Sequence, residues 1–144
     1  MWLGLAAALH LGGCASAPGA AAAAPAAVSS ELTALRYGIK VEALHLSAAG
    51  SMLDFRYRVL DPAKAAPLLD GKLRPYLIDD AHGAKLGVPS SPVLGTIRQT
   101  ARNHHIEVDR TYFIMFGNPG KAVHSGDKVT LVLGDLKIVD LQVR

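Results

Sequence analysis

From Tyr37 onward, apolar and polar residues alternate with a period of two, and turn-forming residues interrupt the pattern repeatedly. This alternation is typical of β-strands that bury one face and expose the other. It is clearest over residues 53–59, where Leu, Phe, Tyr and Val alternate with Asp and Arg. A turn is predicted at residues 47–51, so the strands on either side are expected to pair as a hairpin. The pattern restricts the chain to an all-β fold.

Two local departures from the alternation are informative. The apolar phase of the first strand changes at Leu44, which predicts a β-bulge or a change of buried face. After the second strand, Asp61 suits a helix N-cap and Pro62 suits the first helical position. We therefore predict one short helix over residues 63–69, ended by Gly71.

The remaining strands are predicted from the same alternation and from the turn signals between them. They cover residues 73–78, 85–88, 93–100, 111–116, 129–133 and 136–143. Residues 111–116 are bulky and nearly continuously apolar, which predicts a central strand covered on both faces. Residues 89–92 are expected to be a loop. Gly134 and Asp135 predict a two-residue hairpin loop of type II′, and the strand after it changes phase near Ile138.

Together these elements predict an antiparallel, immunoglobulin-like β-sandwich of seven to eight strands with one short helix, over residues 35–144. The closing stretches YFIMFGNPG and GDKVTLVLGDLKIVDLQV resemble the last strands of small sandwich domains in secreted bacterial proteins. The single cysteine, Cys14, cannot close an intramolecular disulfide, so the core must hold this domain together by itself.

The chain starts with the apolar stretch MWLGLAAALHLGG, which is too short to span a bilayer as a helix and suits a signal peptide over residues 1–13. The four residues Leu11-Gly12-Gly13-Cys14 resemble the lipobox of bacterial lipoproteins. That resemblance implies that the Cys14 thiol carries a diacylglycerol with fatty acids such as palmitate, and that cleavage leaves Cys14 as the first residue. The alternative is an unmodified, incidental cysteine.

Residues 14–34 are rich in alanine and proline, which predicts a disordered tether between the lipidated cysteine and the folded domain. The resemblance implies a lipid-anchored protein of the bacterial cell envelope. Ala15 follows the cysteine, and in lipoproteins of Gram-negative organisms this favours the outer membrane, on its periplasmic face, over retention in the inner membrane.

The charge distribution argues against nucleic acid as a partner. The formal net charge is +3, but lysine and arginine are scattered along the chain without a basic cluster. No nucleophile, phosphate-binding or dinucleotide-binding motif is present, so no catalytic residue and no cofactor are predicted. The adjacent carboxylates of Asp79 and Asp80 are expected to point to opposite faces. The Ser90-Ser91 pair is expected to cap its own loop, and strand aromatics such as Tyr57 and Phe113 to pack in the core.

Five histidines are the remaining candidates for a site, because imidazole is a common metal ligand. They are His45, His82, His104, His105 and His124. Each predicted strand takes the chain from one end of the sandwich to the other, so alternate turns share an end. This places the turns near Gly50, His82, His104–His105 and Gly134 at one end of the sandwich, and the His124 loop at the other. His82, His104 and His105 therefore form the candidate metal site, whereas solvated loop histidines are the alternative.

Two functions follow from these observations. The first is a lipid-anchored, non-catalytic β-sandwich that binds or supports another envelope component, such as an envelope protein or a cell-wall polymer. The second is a periplasmic metal-binding module that uses the loop histidines. A hydrolase without a recognised motif is a third alternative.

Overall fold

The computed structural model describes residues 32–101 and 105–144 of the 144-residue chain. The predicted leader, Cys14 and His104 lie outside the described residues. The described strands are β1 Ile39–Ser47, β2 Met52–Val59, β3 Tyr76–Asp79, β4 Lys85–Gly87, β5 Ser90–Ser91, β6 Gly95–Thr96, β7 Thr111–Gly117, β8 Lys128–Leu133 and β9 Leu136–Gln142. Helix α1 covers residues 32–37 and α2 covers Pro62–Ala65, and short 3₁₀ turns lie at Ala48–Gly50, Ala66–Leu69 and Pro119–Lys121. The prediction of an all-β protein is confirmed.

The first sheet has the order β1-β2-β7, and all its strands are antiparallel. The β1–β2 hairpin was predicted, and so was its bulge: the register shifts between Val41 and Ala43. This extra residue moves Leu44 onto the buried face, where it is 2% exposed.

The second sheet has the order β4-β3-β8-β9 and is also antiparallel. Leu133 is paired with Leu136, so Gly134 and Asp135 form the predicted two-residue loop. Gly134 has a φ of 60°, a left-handed conformation that glycine adopts without steric cost. The predicted phase change in β9 is a second bulge, in which Asp140 takes a φ of 55°.

Both sheets contribute to one buried core. β2 and β7 bury alternate residues, as strands with one exposed face do. The rings of Phe55 and Tyr57 stack at 5.6 Å, and those of Tyr57 and Tyr112 at 5.9 Å. The largest fully buried side chains are Tyr57, Phe55, Phe116, Ile39, Leu44, Leu53, Leu69, Leu77, Ile114, Leu131, Leu133 and Leu136.

The prediction for residues 111–116 is wrong in one respect. β7 is not covered on both faces, because Phe113 is only half-buried while Tyr112 and Ile114 are buried. The outer edge of β7 is bonded by an irregular segment: the Gln99 amide donates to the Phe113 carbonyl, and the Met115 amide donates to the Ile97 carbonyl.

Helix α2 begins as predicted, because the Asp61 side chain accepts hydrogen bonds from the amides of Ala63 and Lys64. The 3₁₀ turn that follows buries Leu68 and Leu69 against the core. Helix α1 was not predicted. It begins within the range that the sequence assigned to the tether, and it buries Thr33 to 4% exposure.

Candidate functional site

The turn after β3 holds a carboxylate–imidazole pair. Asp79 is 2% exposed, and its Oδ1 accepts the Ala81 amide at 3.0 Å. Its Oδ2 lies 2.6 Å from His82 Nδ1, while the His82 side chain is 75% exposed. The hydrogen bond from His82 holds the pKa of Asp79 below its usual value, although burial acts in the opposite direction. Since Nδ1 faces the carboxylate, Nε2 is the ring nitrogen left for another partner.

The neighbouring carboxylate has a different partner. Asp80 Oδ1 accepts the Thr130 hydroxyl at 2.7 Å. The two adjacent carboxylates therefore point to separate groups, as the strand alternation predicts, and they form no paired-carboxylate centre.

His82 and His105 lie at opposite ends of the sheets. Asp79 is paired with Val129, so His82 lies beside the start of β8 and the end of β9. At that same end, the Leu46 amide of β1 donates to the Arg144 carbonyl. His105 instead precedes β7, whose first residues pair with the far end of β2, and the Asp109 amide donates there to the Val59 carbonyl.

The predicted approach of His82 to His105 is therefore wrong, and His124 lies at the His82 end rather than away from it. The Gly134 turn was predicted to lie at the His82 end, but it lies at the opposite end, with His105. These errors have one cause. Residues 93–100 were counted as a strand that crosses the domain, but they do not cross it, so each later turn lies at the end opposite to the predicted one. Within the described ranges, no three His, Cys, Asp or Glu side chains are grouped to hold a metal ion. His104 lies outside those ranges.

Instead of a long strand, residues 90–96 form a small hairpin in which β5 pairs with β6. The Ser91 hydroxyl accepts from the amides of Val93 and Leu94 at 3.2 and 3.4 Å, which confirms the predicted self-capping loop. Val93 is 90% exposed and Leu94 is 79% exposed. We name these two residues the hairpin tip. The flanking Pro92 and Gly95 were the turn signal in the sequence that would have revealed it.

Arg98 connects the base of the hairpin to the 68–73 segment through hydrogen bonds, and it is 8% exposed. Its guanidinium donates from Nη2 to the carbonyl of Asp70 at 2.5 Å and of Leu68 at 3.4 Å, and from Nη1 to the carbonyl of Leu73 at 3.5 Å. The role of Arg98 could not be predicted from the sequence, because a single arginine in a predicted strand carries no signal of its carbonyl partners.

Burial lowers the pKa of Arg98 and raises the pKa of the nearby Tyr57 hydroxyl. The Arg98 Nε and the Tyr57 hydroxyl are both buried without a hydrogen-bond partner among the described residues. The three carbonyl contacts of the Arg98 guanidinium support a structural role for this residue at the hairpin base.

Two grooves lie next to each other between the hairpin and α1, and both are lined by Leu73. The first, of about 320 Å³, is lined by Arg74, Tyr76, Lys85 and Thr96 among others. The second, of about 330 Å³, is lined by Arg36, Lys64 and Asp135 among others. We name this pair of grooves the basic groove face, since four cationic side chains and one carboxylate line it.

The outer face of the first sheet carries a network of charged and half-buried side chains. Arg58 Nε donates to Glu42 Oε1 at 2.8 Å, and the Thr111 hydroxyl donates to Glu42 Oε2 at 2.9 Å, so one carboxylate ties three strand segments together. Next to this network, Arg56 is paired in register with the half-buried Phe113. The mixture of arginine and aromatic surface is typical of protein interfaces.

In the part of the chain that the structure describes, no helix is both long enough and apolar enough to cross a membrane. No protein-family model matches the chain, and no curated protein and no solved structure matches it.

Proposed function

We propose that this chain is a lipid-anchored, non-catalytic protein of the bacterial cell envelope. The observation that carries the proposal is Leu11-Gly12-Gly13-Cys14, because the only thiol of the chain follows the apolar stretch directly. Two or three acyl chains on Cys14 would anchor the protein firmly, since each buried methylene contributes about 0.8 kcal/mol. Residues between Cys14 and α1 would connect the anchor to the folded domain.

We further propose that the two sheets form an immunoglobulin-like sandwich. The strand order supports this: the first, second and fifth of the seven longer strands share one sheet, and the other four share the second. In such folds the sheets serve as a scaffold, and loops, edges and faces bind partners.

A binding role is supported over a catalytic one because, among the described residues, no group of three His, Cys, Asp or Glu side chains that could hold a metal ion includes the Asp79–His82 pair. A nucleophile or metal would need further donors close to His82 Nε2. The Asp80 carboxylate, which follows Asp79 in sequence, accepts a hydrogen bond from the Thr130 hydroxyl instead.

The partner is proposed to be another envelope protein, bound on the outer face of the first sheet around Arg56, Arg58 and Phe113. Arginine and aromatic side chains contribute most to protein interfaces, and Phe113 presents apolar surface beside the two guanidinium groups. A cell-wall polymer is the alternative ligand.

Crosslinking in intact cells tests this interaction. A photoreactive residue at position 56 should capture one protein reproducibly, and Phe113→Ser should abolish that capture. Lys137 on β9 offers a control position, because it is exposed and lies in the other sheet. Equal capture from positions 56 and 137 would contradict the assignment of the binding face.

A further inference from the structure

The hairpin tip has the form of a preorganised apolar protrusion. Val93 and Leu94 are adjacent, almost fully exposed, and held by one serine hydroxyl. Single scattered apolar residues on a surface are ordinary, whereas these two are adjacent and lie on a constrained tip. Below the tip, the Ile97 amide donates to the Pro89 carbonyl at 3.2 Å, which closes the hairpin base.

The surface next to the tip is cationic. Of the four cations on the basic groove face, Arg36, Arg74 and Lys85 form no ion pair among the described residues. Lys85 lies 5.1 Å from the centre of the Tyr76 ring, so the tyrosine presents an aromatic face beside a positive charge. Apolar side chains flanked by basic and aromatic residues are the combination that binds the interface of an anionic bilayer.

We propose that the hairpin tip inserts into the surface of an anionic phospholipid bilayer, with Arg74 and Lys85 against the lipid headgroups. The inference rests on the proposed function, because the anchor on Cys14 would hold the domain near that bilayer. The chain enters the described domain through α1, whose Arg36 lines the basic groove face. The segment from Cys14 to Leu32 spans at most about 60 Å, so the anchor keeps this face within reach of the membrane.

A bilayer fits this surface better than a protein pocket does. Leucine and valine are under-represented among the residues that dominate protein interfaces, where tryptophan, tyrosine and arginine prevail. The tip is also convex, so it requires a soft or concave partner, and a bilayer supplies this without a matching shape. Basic residues near an anionic membrane each add attraction that salt weakens.

Fluorescence quenching by brominated lipids tests the insertion directly. Full-length protein with Trp2→Phe and Cys14→Ser has no indole and no thiol to acylate, because the chain has one tryptophan and one cysteine. In this background Leu94→Trp supplies the only indole. Val139→Trp is the matched control, since Val139 is an exposed aliphatic residue on β9. The vesicles contain equal parts of phosphatidylcholine and phosphatidylglycerol with brominated acyl chains.

We expect the indole at position 94 to be quenched and the indole at position 139 not to be. No quenching at position 94 would overturn the inference, and equal quenching at both positions would do the same. Because this background carries no acyl chain at position 14, and both variants share the same leader, the difference between positions 94 and 139 does not depend on lipidation of Cys14. An unmodified Cys14 in cells would instead count against the proposed function alone.

Partitioning measurements separate the two contributions. Val93→Ser with Leu94→Ser should lower the vesicle partition coefficient about tenfold or more, whereas Val139→Ser should leave it unchanged. Arg74→Gln with Lys85→Gln should lower it by a similar factor on anionic vesicles and hardly at all on pure phosphatidylcholine. A photoreactive residue at position 94 should crosslink phospholipid in cells; reproducible capture of a protein there would overturn the choice of a bilayer.

Discussion

Replacing Arg98 by methionine tests how the hairpin is fastened to the body. The substitution keeps an unbranched apolar side chain in place of the arginine stem and removes the guanidinium with its hydrogen bonds. The carbonyls of Leu68, Asp70 and Leu73 then lose the Arg98 donor, while the Asp70 carbonyl keeps its bond from the Leu73 amide at 3.1 Å.

The expected loss can be worked from the three contacts. A hydrogen bond from a charged donor contributes roughly 1.5–3 kcal/mol, and only the bond to Asp70 is short. The bonds at 3.4 and 3.5 Å are at the limit of hydrogen-bond geometry and add little. Removing a buried cation also relieves a desolvation cost, which offsets part of the loss. We expect a net decrease of about 2 kcal/mol in the free energy of unfolding, or about 8 °C in Tm.

Urea denaturation followed by circular dichroism measures this decrease. Arg110→Met is the matched control, because Arg110 is 49% exposed and forms only a surface ion pair with Glu107 at 2.7 Å. Such pairs contribute at most about 1 kcal/mol. If Arg98→Met and Arg110→Met changed the free energy of unfolding equally, the structural role assigned to Arg98 would be refuted.

Three further predictions concern single residues. Gly38→Ala should lower the free energy of unfolding by about 3 kcal/mol, because φ is +64° and the new Cβ would lie 2.6 Å from the Asp61 carbonyl oxygen. Gly83→Ala is the control, because Gly83 also has a positive φ but open space around it, and it should lower the free energy of unfolding by only about 1 kcal/mol. Equal losses in the two variants would argue against the contact with Asp61. Asn118→Ala should lower the free energy of unfolding by about 2–4 kcal/mol, since the Asn118 side chain bonds the Gly50 carbonyl and both backbone groups of Val123. A loss below about 1 kcal/mol in the same denaturation assay would contradict this. The pKa of Asp79 in the folded protein lies below its ordinary value of 3.8, so its carboxylate stabilises the fold above that pH and loses this effect as the pH falls through the lowered pKa. Asp79→Asn should therefore lower the free energy of unfolding at neutral pH and match wild type in strong acid. A difference in the free energy of unfolding that stayed constant at all pH values would refute the pairing.

The predictions that succeeded depend on local patterns. Alternation located β2 and β8, and the two phase changes located bulges in β1 and β9. The Asp61-Pro62 pair marked a helix start because capping is a contact between neighbours in sequence.

The predictions that failed depend on contacts between distant residues. One strand is predicted over residues 93–100, but Pro92 and Gly95 flank the turn of a hairpin there, and the Arg98 guanidinium bonds carbonyls of the 68–73 segment. Losing that one strand reversed the end assigned to every later turn, including those of His105 and His124. The basic groove face was not predicted either, because Arg36 and Lys85 become neighbours of one surface only through the topology.

Mass spectrometry of the N-terminal peptide from membrane-extracted protein tests the central claim most directly. We predict a peptide that begins at Cys14 and carries a diacylglycerol on the sulfur, and Cys14→Ser should abolish both the modification and the cleavage. A peptide in which Cys14 is unmodified and still preceded by residues 1–13 would contradict the lipid anchor.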